Sequence, residues 1–368
     1  MRPRRAALLA LILLCPSCGN GGGGGSGGGN PVFLGTPPTA TVSTPVGTTH
    51  SNVPVDFTLV DPESNPVSIA VSVSTNGGGS YVPATPSYGN GSLSGLSSSP
   101  GGTIHTFLWN SVDDAVAVGA TTPNTQVRLH ITPSDGNAGT PGATANFTVD
   151  NTSQRVIGVA SALFPHMLTD MGTKEMAVGD LVAQAMKTRY GTQLALQNGW
   201  GVRSPLPSSF APTNTTLRRP AGGYAAGPPY DLVLGDLTVM LPFGNRVITR
   251  SITGVQLWAA LENGFSLYAA NNNGFPQIAG FTVSFQPKNA PGSRVISVAL
   301  EGGGAIPNNG TTYTFATNDF VNGGGDGYSM LNDGQGVSEE ILANVVADYI
   351  QNLGTITPTV AGRITVLP

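Results

Sequence analysis

The sequence predicts an α+β protein in two parts, an all-β sandwich followed by a mixed α/β domain. Three observations carry this. Apolar residues alternate at a period of two through the first part and take helical spacing only in the second. Charged residues are 10% of the 368 residues while glycine alone contributes 51, so Ser, Thr, Gly, Asn and Pro must fill the polar surface. A typical soluble protein is about 25% charged, and the low value here suits exported β-rich chains. The charge is also unevenly placed. Between Gly19 and Asp150, Arg128 is the one basic residue against seven acids, whereas from Asn151 onward twelve basic residues accompany thirteen acids. With a net charge of −4, this argues against a nucleic-acid polymer as partner and puts any anionic ligand in the second part.

At the N-terminus, Met1-Arg2-Pro3-Arg4-Arg5 is a basic segment, and Ala6 to Leu14 is an apolar run too short to span a bilayer. That is the form of a secretory signal. The run ends in Cys15-Pro16-Ser17-Cys18, and the chain to Gly29 is then almost pure glycine. A small residue before a Cys, then a flexible tether, resembles the lipobox of bacterial lipoproteins. Cys18, preceded by Ser17, is the better acylation candidate; Cys15, preceded by leucines, fits worse. The resemblance implies a signal peptide over 1–18, a linker over 19–35 and an exported, membrane-anchored protein of the bacterial cell envelope. Both cysteines lie here, so the rest of the chain has neither a disulfide nor a Cys-based metal site.

Over 36–150, Val55, Phe57 and Leu59 alternate with polar positions. So do Val67, Ile69, Val71 and Val73, then Val127, Leu129 and Ile131, then Phe147 and Val149. Such runs between Gly, Pro and Asn turns read as half-buried antiparallel strands. Trp109, after Ile104 and Phe107, is the expected core aromatic. Several short strands in this length suit an immunoglobulin-like sandwich. The turns Asp61-Pro-Glu-Ser-Asn65 and Ser74-Thr-Asn-Gly-Gly78 resemble Ig-like repeats of bacterial surface proteins, which implies a spacer or adhesion module. Asp61, Glu63 and Asp135 read as turn residues rather than calcium ligands, and His50, His105 and His130 lack metal-ligand spacing.

In 151–368, Val178, Leu181, Val182, Ala185 and Met186 share one face of a helix beginning near Glu175. A strand over Leu194–Leu196 leads to the turn Asn198-Gly-Trp-Gly-Val-Arg203, whose Asn and Arg suit a base edge and a phosphate. Leu241-Pro-Phe243-Gly-Asn245 precedes a strand with Val247 and Ile248, and Thr253-Gly254 opens a helix carrying Leu257, Leu261 and Phe265. Phe275-Pro-Gln277 and Gly280–Phe285 are expected to begin one strand, Arg294–Val298 forms a further one, and Thr312–Thr317 is a β-type run. The last leads into Asn318-Asp-Phe320-Val-Asn-Gly-Gly-Gly-Asp326-Gly-Tyr328. Three consecutive glycines there permit positive φ and close approach to a ligand. Ser338 is expected to cap a final helix with Ile341, Leu342, Val345, Val346, Tyr349, Ile350 and Leu353 on its face, stopped by Gly354.

From about Ile157 to Gly362-Arg363-Ile364, these segments resemble the C-terminal, substrate-binding domain of the 5′-nucleotidase family. Five motifs stand in family order: E-x3-G-[ND]-L, N-G-x-G-[IV]-R, L-P-F-G-N, the T-G-x-x-L helix and N-[DP]-F-x4-G-D-G-[YF]. The resemblance implies a substrate site in which Phe243 and Phe320 sandwich a nucleobase and Asn198 contacts the base. It implies further that Arg203 reaches the phosphate and Asp326 takes the ribose hydroxyls. The ligand would be a nucleotide or nucleoside, and the reaction phosphomonoester hydrolysis in nucleotide catabolism.

Two departures stand out. Trp200 replaces a glycine of the Asn-Gly-Gly-Gly turn, where it would either stack on the ligand or block it, and Gly172 stands where the family has a basic residue, which implies one phosphate contact fewer. Asp180 and Gln184 also replace the usual Asn and Asp of their helix. The family's chemistry belongs to an N-terminal metallophosphatase domain with two divalent metals such as zinc or manganese. Its D-x-H, G-D, N-H-[ED] and G-H-x-H segments are not found here, and the four His, His166 among them, sit in none of them. The expectation is that this chain carries no metal or other cofactor, has no catalytic residue of its own, and hydrolyses a substrate only with a separate metallophosphatase chain. The alternative is a non-catalytic surface structural or adhesion lipoprotein whose nucleotide site has decayed.

Overall fold

The computed structural model describes residues 35–270 and 272–368. Readings made on residues 1–34, Cys18 among them, lie outside the described residues. The period-2 segments of the first part form two sheets facing one core. One contains Thr39–Val42, Asn52–Val60 and Thr103–Asn110; the other runs Thr48–Thr49, Phe147–Val149, Asn124–Ser134, Ser68–Ser74, Val82–Pro83. Val55, Phe57, Leu59, Val71, Val73, Leu129 and Ile131 meet in that core around the fully buried Trp109, as their alternation requires. Asp61 serves a turn: its Oδ1 accepts the backbone amides of Glu63 (2.9 Å) and Asn65 (3.2 Å).

The second part is organised on a five-stranded mixed sheet, in the order Pro276–Ala279, Leu194–Asn198, Thr312–Asn318, Arg246–Thr253, Val337–Ile341. Side chains alternate across it. Ala195, Ala279, Ala316 and Val247 face the helices Ala177–Tyr190 and Leu342–Leu353. Leu194, Leu196, Ile278 and Phe315 face the helix Gly254–Phe265 and a small sheet of Val295–Leu300, Phe281–Phe285 and Ile364–Val366. The run after Phe275 is two strands in two sheets, because Gly280 turns at φ +87° and a Cβ there would meet Gln193 O at 1.9 Å. Thr253 caps the helix Gly254–Phe265 as expected, its Oγ1 accepting Gln256 N at 3.1 Å.

One boundary differs from expectation. Ser338 is not a helix cap: it lies in the strand Val337–Ile341, opposite Ile248, and the helix begins at Leu342 with Ile341 before it. Ladder bonds to the sheet edge satisfy this backbone in place of a side-chain cap. Gly354 ends the helix as read.

Thr36–Pro368 form one compact unit, and the sandwich is packed onto the second part rather than loosely tethered. Arg246 makes a bidentate pair with Asp113, at 3.0 and 2.8 Å. Glu340 accepts from Arg189 (2.7 Å), Tyr190 Oη (3.0 Å) and Ser87 Oγ (3.3 Å), and Tyr88 stacks edge-on against Tyr190. No helix among the described residues is long and apolar enough to cross a membrane.

Candidate functional site

Sheet topology gathers the motifs. Leu194–Asn198 and Thr312–Asn318 run parallel, so their C-terminal ends share one edge of the sheet. The two flanking strands run antiparallel to them, so the approaches to Pro276 and Arg246 arrive at the same edge. Around that edge lies a cavity of about 220 Å³ lined by Asn198, Trp200, Arg203, Phe243, Asn245, Asn273, Phe320 and Asp326. All five residues expected to bind substrate are therefore brought together, although they come from three separate loops.

Phe243 is 61% exposed and Phe320 48% exposed, and both line the cavity. Two half-bare rings at one cavity are not core packing, since burying each would gain roughly 1.5–3 kcal/mol. Their loops are joined by Asn245 Nδ2, which donates to Asp319 Oδ1 at 2.5 Å. Gly325 lies against the Phe320 ring, where a Cβ would come within 2.4 Å of Cε1. Of the three consecutive glycines only Gly324 adopts positive φ (+89°); Gly325 is there for space.

The polar end of the cavity is a fixed network. Asn198 Nδ2 donates to Asp326 Oδ2 at 2.7 Å, and its Oδ1 accepts from Gln197 Nε2 (3.1 Å) and Asn318 Nδ2 (2.9 Å). Asn318 also donates to Gln197 Oε1 (2.9 Å) and caps the short helix Asp319–Asn322 by accepting Val321 N (2.8 Å). Asn263 holds the Asp326 carbonyl (3.0 Å), Tyr328 Oη donates to Gly274 O (2.5 Å), and Arg250 donates to Asn322 Oδ1 (2.9 Å) and Leu331 O (2.6 Å). Asp326 itself sits in the left-handed region at φ 52°. So many bonds on one loop mean that its acceptors are set before a ligand arrives. Sequence reasoning assigned no role to Gln197 or Asn318. The signal was present: Gln197-Asn198 and Thr317-Asn318 are polar pairs that end apolar strands, and all four residues are buried.

Arg203 stands exposed at the mouth with no side-chain hydrogen bond or ion pair to any described residue. Its guanidinium carbon is 6.0 Å from the rings of both Trp200 and Phe243. Gly199 and Gly201 leave no room for a Cβ, which would meet Met171 O at 2.0 Å and Gln197 Nε2 at 2.2 Å. Position 200 between them accepts the indole, whose Nε1 donates to Leu168 O at 3.0 Å. His166 is a structural residue, its Nε2 bonded to Val202 O at 2.9 Å. Asp180 and Gln184 hold the C-terminal segment, accepting Ala361 N (3.0 Å) and Arg363 (2.8 Å). Among the described residues no three His, Cys, Asp or Glu side chains come together as a metal site, so the residues present do not fit a dinuclear centre.

The fold and this edge define a mixed α/β domain with an aromatic-walled cavity at the C-terminal ends of two parallel strands. Residues 156–333 match the family model for the 5′-nucleotidase, C-terminal domain. Among curated relatives, the trifunctional nucleotide phosphoesterase protein YfkN of Bacillus subtilis (strain 168) is 31% identical over 202 residues, 52% of this chain and 12% of that protein. Protein 5NUC of Lutzomyia longipalpis is 30% identical over 243 residues, covering 60% of this chain and 39% of the relative. The crystal structure of a 5′-nucleotidase precursor from Thermus thermophilus superposes with a TM-score of 0.50 at 25% identity, over 66% of this chain and 50% of that one. The chain thus spans half or less of each of these proteins.

Proposed function

We propose that the chain is an exported, lipid-anchored member of the 5′-nucleotidase family that binds nucleosides or nucleotides at the cavity between Phe243 and Phe320. The single observation that supports this best is the pair of half-exposed rings at one cavity with a prearranged Asn198–Asp326 network. A flat base fits between rings, and base–aromatic stacking is worth about 1–3 kcal/mol per base. The Asp326 carboxylate accepts from ribose hydroxyls, and the second Nδ2 hydrogen of Asn198 is available to a base acceptor. In this reading 36–150 is a supporting sandwich and 151–368 the binding domain. Phosphomonoester hydrolysis, with the divalent metals it requires, belongs to a separate metallophosphatase chain docking at the cavity mouth.

Calorimetric titration of residues 31–368 with adenosine and AMP, beside Phe320→Ala, tests the site. Binding with micromolar-class affinity, lost in the variant, is expected. No heat with any nucleoside or nucleotide would sink the proposal and leave a surface scaffold. Acylation is tested by labelling the full-length protein with a fatty-acid probe, which Cys18→Ala should abolish.

A further inference from the structure

We propose that Trp200 makes the cavity selective for uncharged nucleosides over nucleotides. This rests on the binding role proposed above and names its ligand class. The two departures noted in the sequence are one structural event. A Cβ at Gly172 would lie 3.1 Å from Trp200 Nε1, 3.0 Å from Asn272 O and 3.1 Å from Asn272 N. The indole cannot readily withdraw, because Leu168 O holds Nε1 at 3.0 Å and the same carbonyl accepts Gly172 N at 3.1 Å. A side chain at 172 would therefore start in tight contact with both the indole and the Asn272 backbone.

The cavity's charge follows. Its lining carries one cation, Arg203, and one carboxylate, Asp326. Arg203 lies near two aromatic faces, a placement that suits a cation already partly satisfied. A phosphate monoester brings a charge of about −1.5 to −2 at neutral pH. It would meet a single available guanidinium and suffer repulsion from Asp326 in the same small space. A nucleoside brings no charge, hydroxyls that donate to Asp326, and a base that fits between the rings. Trp200 thus adds stacking surface while removing the means of neutralising a dianion.

The test is calorimetric titration of the full chain with adenosine, AMP and ADP, in the wild type, Trp200→Gly, Trp200→Phe and Trp200→Gly/Gly172→Arg. Circular dichroism establishes that each variant is folded. Adenosine is expected to bind at least as tightly as AMP, and ADP no tighter than AMP. Trp200→Gly should weaken adenosine and AMP by a similar factor, since both carry the same base. Trp200→Phe should keep the wild-type ratio, and the double variant should move it about tenfold towards AMP. A wild type that prefers AMP tenfold, or a folded Trp200→Gly/Gly172→Arg variant with an unchanged ratio, overturns this inference alone. Failure of every ligand to bind overturns the underlying function and this inference with it.

Discussion

Gly325→Ala is the substitution whose effect can be worked out most directly. The added Cβ would lie 2.4, 2.5 and 2.6 Å from Cε1, Cζ and Cδ1 of Phe320. Carbon atoms rest at about 3.5–4.0 Å, so the ring must retreat by roughly 1 Å or rotate away. The ring is 48% exposed and can move, and φ at Gly325 lies outside the left-handed region. Alanine is therefore unstrained, and its cost to folding should be within about 1 kcal/mol. The cost falls on the ligand. Displacing one wall of the cavity should forfeit most of a stacking face, about 1–3 kcal/mol, a 5- to 150-fold rise in Kd. Calorimetry with adenosine in a double-mutant cycle reads this out. Gly325→Ala should weaken binding nearly as much as Phe320→Ala, with little further loss in the double variant and a melting temperature close to wild type. Unchanged affinity, or full additivity with Phe320→Ala, would refute the idea that Gly325 acts by seating that ring.

Two further outcomes concern the frame rather than the ligand. Asp236 accepts both Arg219 nitrogens at 2.6 Å, with Ser208 N and Val233 N at 2.9 Å, all buried. Asp236→Ala leaves a buried cation unpaired and should cost about 3–5 kcal/mol, seen as a fall of roughly 10 °C in thermal melts; a Tm within about 2 °C of wild type contradicts this. Burial, then the nearby Arg155, lowers the pKa of His50 from 6.5 to about 4, against a smaller opposing pull from Asp150. Above pH 6.5 the ring is neutral folded or unfolded; below it the unfolded chain takes a proton that the folded ring resists. The stability held by neutral His50 is thus lost progressively as pH falls from 6.5 to about 4. Melting curves at about pH 7 and pH 5 should separate less for His50→Asn than for the wild type.

Much of the molecule was legible in the chain. Periodicity placed the strands around Phe57, Ile69, Leu129 and Phe315 and the helices around Leu181 and Leu261, because side-chain alternation is a local property of the backbone. Ordered motifs marked Asn198, Arg203, Phe243, Phe320 and Asp326, which line one cavity. What only the tertiary structure decided depends on contacts between residues far apart in sequence. Sheet pairing turned Ser338 from a helix cap into a ladder residue. Loop convergence left Phe243 and Phe320 half bare, which no propensity can report. The Arg246–Asp113 pair fixed the sandwich to the second part. In the sequence Trp200 and Gly172 are two separate departures; the fold sets them side by side, a Cβ at 172 lying 3.1 Å from Trp200 Nε1.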